Sequence, residues 1–322
     1  MSDITAFANR LGKNAKHYLK WARRHNIEAW RLYDRDIPQF PFAIDVYGGQ
    51  IHLQEYDTGW LMQPEEYETW LSEVLEAVAF ITGFAPADIH LKRRERQKGT
   101  QQYEKTGKAG ADFIVHEHGR RFWVNLEKYL DTGLFLDHRN TRQRVGEMAA
   151  GKRFLNLFAY TGGATLAAAA AGAQVTHVDA SKGMVTWAKE NALSSGLKDA
   201  PIRWLVDDCV KFVEREIRRG NTYDAIIMDP PSYGRGPKGE IWKIEDMIHP
   251  LIKLCTKILS KDALFFLVNS YTTGLAPAVL TYMISTELKP WNGHVDSQEI
   301  GLPVTDSGLV LPCGASGRWE RD

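Results

Sequence analysis

Residues 153–163 read Arg-Phe-Leu-Asn-Leu-Phe-Ala-Tyr-Thr-Gly-Gly. A short apolar run ends in a glycine turn, and an alanine-rich stretch follows. That is the pattern of a buried strand running into the N-terminus of a helix. From about residue 138 the alternation continues. Strands are expected at 153–158, 174–178, 202–206, 223–228 and 263–268, with helices at 163–172, 182–195, 209–219 and 245–259 between them. Alternating strands and helices imply an α/β, Rossmann-like parallel sheet with helices on both faces. The segment 296–313, with glycines, prolines and short apolar runs, fits antiparallel edge strands closing that sheet.

In such sheets ligands sit beyond the carboxyl ends of the strands. Three acidic strand ends follow the glycine turn in order, at Asp179, at Asp207-Asp208 and at Asp229. A carboxylate there can accept two hydrogen bonds from a ribose, and another can accept from an adenine amino group. Each aspartate also fits as a plain helix N-cap. The turn lacks both the Gly-x-Gly-x-x-Gly dinucleotide fingerprint and a Walker lysine. A helix N-terminus at Gly163 favours an anion, and a methionine carboxylate suits it as well as a phosphate does.

Asp229-Pro230-Pro231-Ser232-Tyr233 ends the fourth strand. Two prolines fix φ and remove two donors, making a stiff corner whose carbonyls are expected to face the cleft. A flat base can lie against it, with Tyr233 available for stacking. The run Gly234 to Gly239 is expected to be a mobile basic loop. Together these features point to an enzyme that holds S-adenosylmethionine and methylates a planar nitrogenous ring. A nucleotide-dependent oxidoreductase is disfavoured by the missing glycine fingerprint. A non-catalytic RNA-binding module remains a third reading.

The first part of the chain reads differently. A helix is expected over 5–25, strands over 42–47 and 50–56 around Gly48-Gly49, and a helix over 64–81. Residues 89–91 lead into a basic loop, and a hairpin turns at His118-Gly119. The expected division is a small α+β RNA-binding or substrate domain, 1–125, and a methyltransferase domain, 126–322.

Lysine plus arginine equal aspartate plus glutamate at 40 each, so only the distribution of charge informs. Six basic residues and no acidic one lie between Arg10 and Arg24, and seven basic residues lie between Lys92 and Lys108. These runs are expected to track phosphates, with Arg93, Arg94 and Arg96 in the second run and Tyr103 placed to stack on a base. The three cysteines, Cys209, Cys255 and Cys313, are far apart and suggest neither a metal site nor a disulfide framework. No metal is expected. With no membrane-length apolar run and no secretory pattern at Met1, the expected location is the cytoplasm.

Longer stretches carry a resemblance. They include Lys20-Trp21-Ala22-Arg23-Arg24, Arg31-Leu32-Tyr33-Asp34, Arg94-Glu95-Arg96-Gln97-Lys98-Gly99 and residues 129–139, Tyr-Leu-Asp-Thr-Gly-Leu-Phe-Leu-Asp-His-Arg. With Leu155 to Gly162 and Asp229-Pro230-Pro231, they make nearly the whole chain similar to the bacterial large-subunit ribosomal RNA methyltransferases of the class I S-adenosylmethionine-dependent group. The likeness is strongest to the half that makes 7-methylguanosine in 23S RNA.

That resemblance implies a partner, 23S ribosomal RNA before or during subunit assembly, and a set of site residues. Thr132, Leu134, Phe135, Asp137 and Arg139 would help enclose the cofactor. Phe158, Tyr160, Thr161 and Gly162 would line its methionine part, with Asn156 a further cofactor-binding residue. Asp179 would hold the ribose and Asp208 would face adenine, with Ala180, Ser181, Asp207 and Cys209 as further cofactor-binding residues. Asp229, Pro230, Pro231 and Asn269 would meet the base, with Asp229 also near the cofactor.

Related enzymes that make 5-methylcytosine place a cysteine at the end of strand four or five. Here those ends read Asp229-Pro230-Pro231-Ser232 and Val268-Asn269-Ser270, without a thiol. Guanine N7, which has a lone pair ready to attack, is the expected target, and another base or an exocyclic amine is the alternative.

Overall fold

The computed structural model describes residues 4–59, 62–94, 112–129, 131–272, 274–303 and 309–322. They fall into two units, Met1–Leu136 with Val304–Leu309, and Asp137–Pro303 with Val310–Asp322.

The first unit contains α1 (Ile4–His25), β1 (Ala29–Asp34), β2 (Phe42–Tyr47), β3 (Gln50–Tyr56), α2 (Pro64–Thr82), β4 (Ile89–Arg94) and a hairpin of β5 (Phe113–Glu117) and β6 (Arg120–Val124). Its four-stranded sheet runs β1-β2-β3-β4. The first three strands are antiparallel, and β4 returns parallel to β3 after the α2 crossover. Phe7, Leu11, Ala15 and Ala22 form the inward stripe of α1 and pack on Trp30, Leu32, Phe40, Phe42 and Ile44. Phe7 stacks on Phe40 at 4.7 Å and Phe42 on Trp70 of α2 at 5.3 Å, which adds geometry to the burial.

β1 is absent from the sequence expectation for a local reason. A bulge between Arg31 and Tyr33 breaks the alternation of buried and half-buried residues that would have marked it. The start of the expected basic loop is also corrected. Lys92, Arg93 and Arg94 continue β4, because pairing with β3 runs on to Tyr56 opposite Arg94. Arg93 there pairs with Glu55 at 3.4 Å and lies over the Tyr67 ring. The rest of that run, Arg96 and Tyr103 included, lies outside the described residues, as does the side chain of Arg94.

The second unit contains α3 (Arg139–Met148), β7 (Arg153–Leu157), α4 (Gly163–Ala170), β8 (Gln174–Asp179), α5 (Lys182–Ser194), β9 (Ile202–Val206), α6 (Cys209–Arg219) and β10 (Ala225–Met228). A small hairpin, β11 (Tyr233–Arg235) and β12 (Ile241–Lys243), precedes α7 (Ile244–Thr256), β13 (Phe265–Ser270), α8 (Pro277–Leu288), β14 (His294–Pro303) and β15 (Val310–Glu320). The seven-stranded sheet runs β14-β15-β13-β10-β7-β8-β9. β9, β8, β7, β10 and β13 are parallel, and β15 and β14 close the edge antiparallel. This is the expected Rossmann-like α/β sheet.

Side chains alternate between its faces. Leu155, Leu157, Ile226, Met228, Phe266 and Val268 pack with residues of α6, α7 and α8. Phe154, Ala225, Ile227, Phe265 and Leu267 pack with Val145 of α3 and the alanines of α4. Full burial of each large apolar side chain contributes about 1.5–3 kcal/mol, so the sheet is a rigid base for its loops. Two helices of this unit escape sequence reading. The inward face of α3 is Arg139, Arg142 and Val145, two arginines where an apolar stripe is expected. In α8 the buried row Leu280, Ile284 and Leu288 is obscured by exposed Val279 and Tyr282.

Candidate active site

Strand register brings the carboxyl ends level. Met228 pairs with Leu157 on one side and Val268 on the other, and Leu157 pairs with Val178. The next residue of each strand is therefore Asp229, Phe158, Asn269 or Asp179, four side chains in one row across the sheet. The row spans the point where strand order reverses between β7 and β10, the usual crevice of an open α/β sheet.

The turn from β7 to α4 is strained. Phe158 and Tyr160 adopt φ of 55° and 51°, which non-glycine residues avoid. Asp179 holds the turn in place: its Oδ2 accepts from the Tyr160 amide and its Oδ1 from the Ser181 amide, both at 2.8 Å. The Phe158 amide donates to the Cys209 thiol at 3.4 Å, and the Asn191 carboxamide donates to the Thr161 carbonyl at 2.9 Å. Gly162 sits at φ 83°, and a Cβ there would lie 3.0 Å from that of Ala188, so both backbone and space require glycine. Gly163 opens α4 with the buried Arg142 side chain against it.

Asp179 is thus a brace between two loops rather than a helix cap. Burial pushes its carboxyl above the ordinary range, and the two amides oppose that shift. The N-cap reading holds for Asp208, which accepts from the Lys211 amide at 2.9 Å, and for Ser181, which caps α5. Asp207 pairs with Arg215 and accepts from the Asp208 amide at 3.0 Å. Ala180 is half-buried beside Ser181. Asn156 is turned into the interior, donating to Thr165 at 3.0 Å, and Thr165 bonds in turn with His177.

At the end of β10, Asp229 lies 3.1 Å through Oδ2 from Nε2 of His138. The same nitrogen is 2.6 Å from the Tyr271 hydroxyl, which donates to Asp137 at 2.8 Å. Oδ1 of Asp229 and both polar atoms of the fully buried Asn269 carboxamide have no hydrogen-bond partner. Orphaned polar atoms are costly in a folded interior, and these lie together at two adjacent strand ends, where a ligand could complete the bonding.

Two expectations about the corner are corrected. The Pro231 carbonyl does not face a cleft freely, because the Trp242 indole N–H donates to it at 2.7 Å. Nor is 234–239 an open loop: it belongs to the β11–β12 hairpin, in which Glu240 accepts from the Lys238 amide at 2.9 Å and from Lys211 at 2.6 Å. Trp242 also packs on Phe158 at 4.8 Å, so one indole ties the proline corner to the strained turn.

Thr132, Leu134 and Phe135 lie in the first unit. There the Tyr47 hydroxyl bonds Thr132 at 2.9 Å and the Leu134 carbonyl at 3.2 Å. Asp137 belongs to the second unit, and Arg139 is buried on α3. Sequence reasoning did not select His138, Tyr271, Arg142 or Asn191. His138 carried a usable signal, since it sits between Asp137 and Arg139 in the most specific stretch. The others are scattered residues with none.

With this geometry in view, similarity to known proteins becomes informative. Residues 59–281 match the family described as S-adenosylmethionine-dependent methyltransferase. The chain belongs to that family. It is 60% identical over 272 residues to ribosomal RNA large subunit methyltransferase K of Neisseria meningitidis, covering 84% of this chain and 77% of that one. Ribosomal RNA large subunit methyltransferase K/L of Chromohalobacter salexigens is 44% identical over 233 residues, 72% of this chain. The chain spans about a third of the length of such K/L relatives, 31% in that case.

Among solved structures, a SAM-dependent methyltransferase from Agrobacterium tumefaciens has 29% identity and a TM-score of 0.70, covering 87% of this chain and 88% of that one. A methyltransferase complexed with SAH shares the fold at a TM-score of 0.79 and 24% identity, over 99% of this chain and 82% of that one. The protein is an enzyme, and S-adenosylmethionine is its methyl donor.

Proposed function

We propose that the protein methylates a guanine of large-subunit (23S) ribosomal RNA, at N7. The relatives named for that RNA support the substrate class. The observation that carries the base site is the row end itself: Asp229 Oδ1 and the Asn269 carboxamide, unpartnered at adjacent strand ends beside a braced proline corner. A carboxylate and a carboxamide together offer acceptors and a donor, which suits the mixed edge of a nucleobase.

The residues present fit the donor. Asp179 retains a second lone pair on each oxygen for ribose hydroxyls, and Asp207 or Asp208 would accept from adenine. Phe158, Tyr160, Thr161 and Gly162 would line the methionine part at the α4 N-terminus, where helix amides and Arg142 favour a carboxylate. When bound, S-adenosylmethionine supplies an electrophilic methyl on a sulfonium sulfur. Guanine N7 attacks with an existing lone pair, so the chain needs no general base. Its contribution is placement in line, which can lower a barrier by about 7–11 kcal/mol.

Cysteine chemistry is the competitor to exclude. Cys209 and Cys255 are buried, and burial pushes both thiols up, away from the reactive thiolate. Cys313 is exposed on β15, next to Gly314, whose backbone lies against Tyr271. Incubation of the protein with labelled donor and undermethylated ribosomal RNA, followed by nucleoside mass spectrometry, is expected to yield 7-methylguanosine. A 5-methylcytosine product would instead point to Cys313, and an N2-methylated guanosine to the amine reading.

Among the described residues of the first unit, α1 presents a basic surface. It has no acidic residue, and Lys13, Lys16, Lys20 and Arg23 recur at helical spacing on its exposed side. Arg10 is already paired with Asp36. Changing these four residues to glutamate is expected to weaken RNA binding and to flatten the slope of log affinity against log salt by about 3, from ~0.7 per lost phosphate contact. Donor affinity should not move. An unchanged salt slope would remove α1 from the RNA surface.

A further inference from the structure

The cluster behind Asp229 has no assigned part in the reaction. His138 is buried, so its imidazole cannot exchange its partners for water. Three acceptor oxygens surround its Nε2 edge: Asp229 Oδ2 at 3.1 Å, the Tyr271 oxygen at 2.6 Å and, beyond that hydroxyl, Asp137 Oδ2. A bare lone pair on Nε2 would face the Asp229 carboxylate and be repelled. Proton counting therefore puts a hydrogen on Nε2, shared between Asp229 and Tyr271, while Tyr271 donates its own proton to Asp137. The Tyr271 ring is held against the Gly314 backbone, where an added Cβ would lie 2.8 Å from ring carbon Cδ1, so the hydroxyl is aimed inward although the ring is partly exposed.

We infer that His138 is a positioning residue: its Nε2–H, backed by Tyr271 and Asp137, fixes the Asp229 carboxylate in the orientation that meets the target base. The inference rests on reading Asp229 as the group that meets that base. In the transfer, the N7 lone pair forms the new N–C bond, the C–S bond breaks with its electron pair kept by sulfur, and the positive charge passes to the purine. No proton leaves. A ring that becomes cationic is favoured by a carboxylate held beside it, and Asp229 is that group.

The charged and titratable groups facing His138 are Asp137 beside it, Arg142 on α3, Asp229 after β10 and Tyr271 after β13, with Cys313 of β15 near Tyr271. Burial by itself would lower the affinity of the imidazole for a proton, and Arg142 opposes protonation too. The charge and hydrogen bond of Asp229, with the charge of Asp137, outweigh them and hold it above its ordinary range. Burial and the two carboxylates also push the Tyr271 hydroxyl far up, so it remains a donor.

Long-range 1H–15N NMR of His138 in the ligand-free full chain tests this without RNA. The expected result is a protonated Nε2 throughout, with a titration above the ordinary value that falls in Asp229→Asn, which removes the charge facing the imidazole. A tautomer protonated only at Nδ1, or a titration unmoved by Asp229→Asn, would overturn the inference whatever the RNA substrate proves to be.

With the wild-type reaction established, His138→Gln keeps a donor near Nε2 and should retain turnover within about threefold. His138→Ala should lose about tenfold in kcat with donor KM nearly unchanged. Equal losses in both variants, or a loss carried by donor KM, count against the assignment. Tyr271→Phe repeats the test at a partly exposed ring should the alanine variant not fold, with a smaller loss in kcat. Failure of the wild-type protein to methylate ribosomal RNA would sink the proposed function and leave the NMR result to decide the role of His138.

Discussion

Asp229→Asn is expected to lower the rate of methyl transfer by about 10²–10³-fold, the usual loss when one preorganised electrostatic group is removed from an active site. The substitution keeps the volume and removes the charge. It replaces an acceptor beside His138 with an amide that either donates toward the imidazole or turns its NH₂ toward the base. Under the proposed reaction it also removes the negative group beside the purine as that ring gains positive charge. The fold should survive, since the proline corner is held by Trp242 through the Pro231 carbonyl and not by Asp229. Donor affinity, measured by calorimetry, should change by less than tenfold, a far smaller effect than that on turnover. Single-turnover kinetics with saturating RNA is the decisive measurement. A rate near that of the wild type would move the chemistry away from the end of β10.

The second large effect is expected at Asp179. Asp179→Ala removes two acceptor oxygens offered to ribose, and it also releases the Tyr160 and Ser181 amides that those oxygens hold at 2.8 Å. Hydrogen bonds to a charged group contribute about 1.5–3 kcal/mol each, so two of them correspond to roughly a 10²–10⁴-fold loss of donor affinity. Release of Tyr160 from a positive φ adds disorder to the turn that lines the methionine part. Calorimetric titration with S-adenosylmethionine, alongside far-UV circular dichroism as a control for folding, measures this. Affinity within tenfold of wild type in a folded variant would remove Asp179 from the site.

Asp179 also shows why this end of the sheet is less stable than it could be. Its folded carboxyl titrates above the ordinary value of 3.8 because burial penalises the ionised form. Between those two values the folded chain binds more protons than the unfolded one, so stability falls as pH rises through that window. Donor binding through Asp179, as proposed, has the opposite sign: it would use both oxygens as acceptors and strengthen as the carboxyl ionises. A buried carboxylate and two residues at positive φ thus lie together at the strand ends proposed to hold the donor.

Much of this site was legible in the chain because its chemistry is local. The strand-to-turn passage at 153–163 and the Asp229-Pro230-Pro231 corner each carry their geometry in adjacent residues: glycine for positive φ, proline for a fixed φ, aspartate at a strand end. α3 was not legible, because its inward face is arginine and periodicity arguments look for apolar residues. Nor was the engagement of the Pro231 carbonyl by an indole from the following hairpin. The brace formed by Asp179 could be placed at the strand end by sequence but not distinguished there from a cap.

By itself, then, the amino-acid order determined the alternating architecture, the positions of the strand ends and the class of ligand those ends can hold. Each follows from periodicity and from short-range backbone sterics. Tertiary structure alone decided which distant groups meet, above all Tyr271 with His138, 133 residues apart, at the carboxylate of Asp229. Pairing register and helix packing set that meeting, and neither is encoded in any single stretch of the chain.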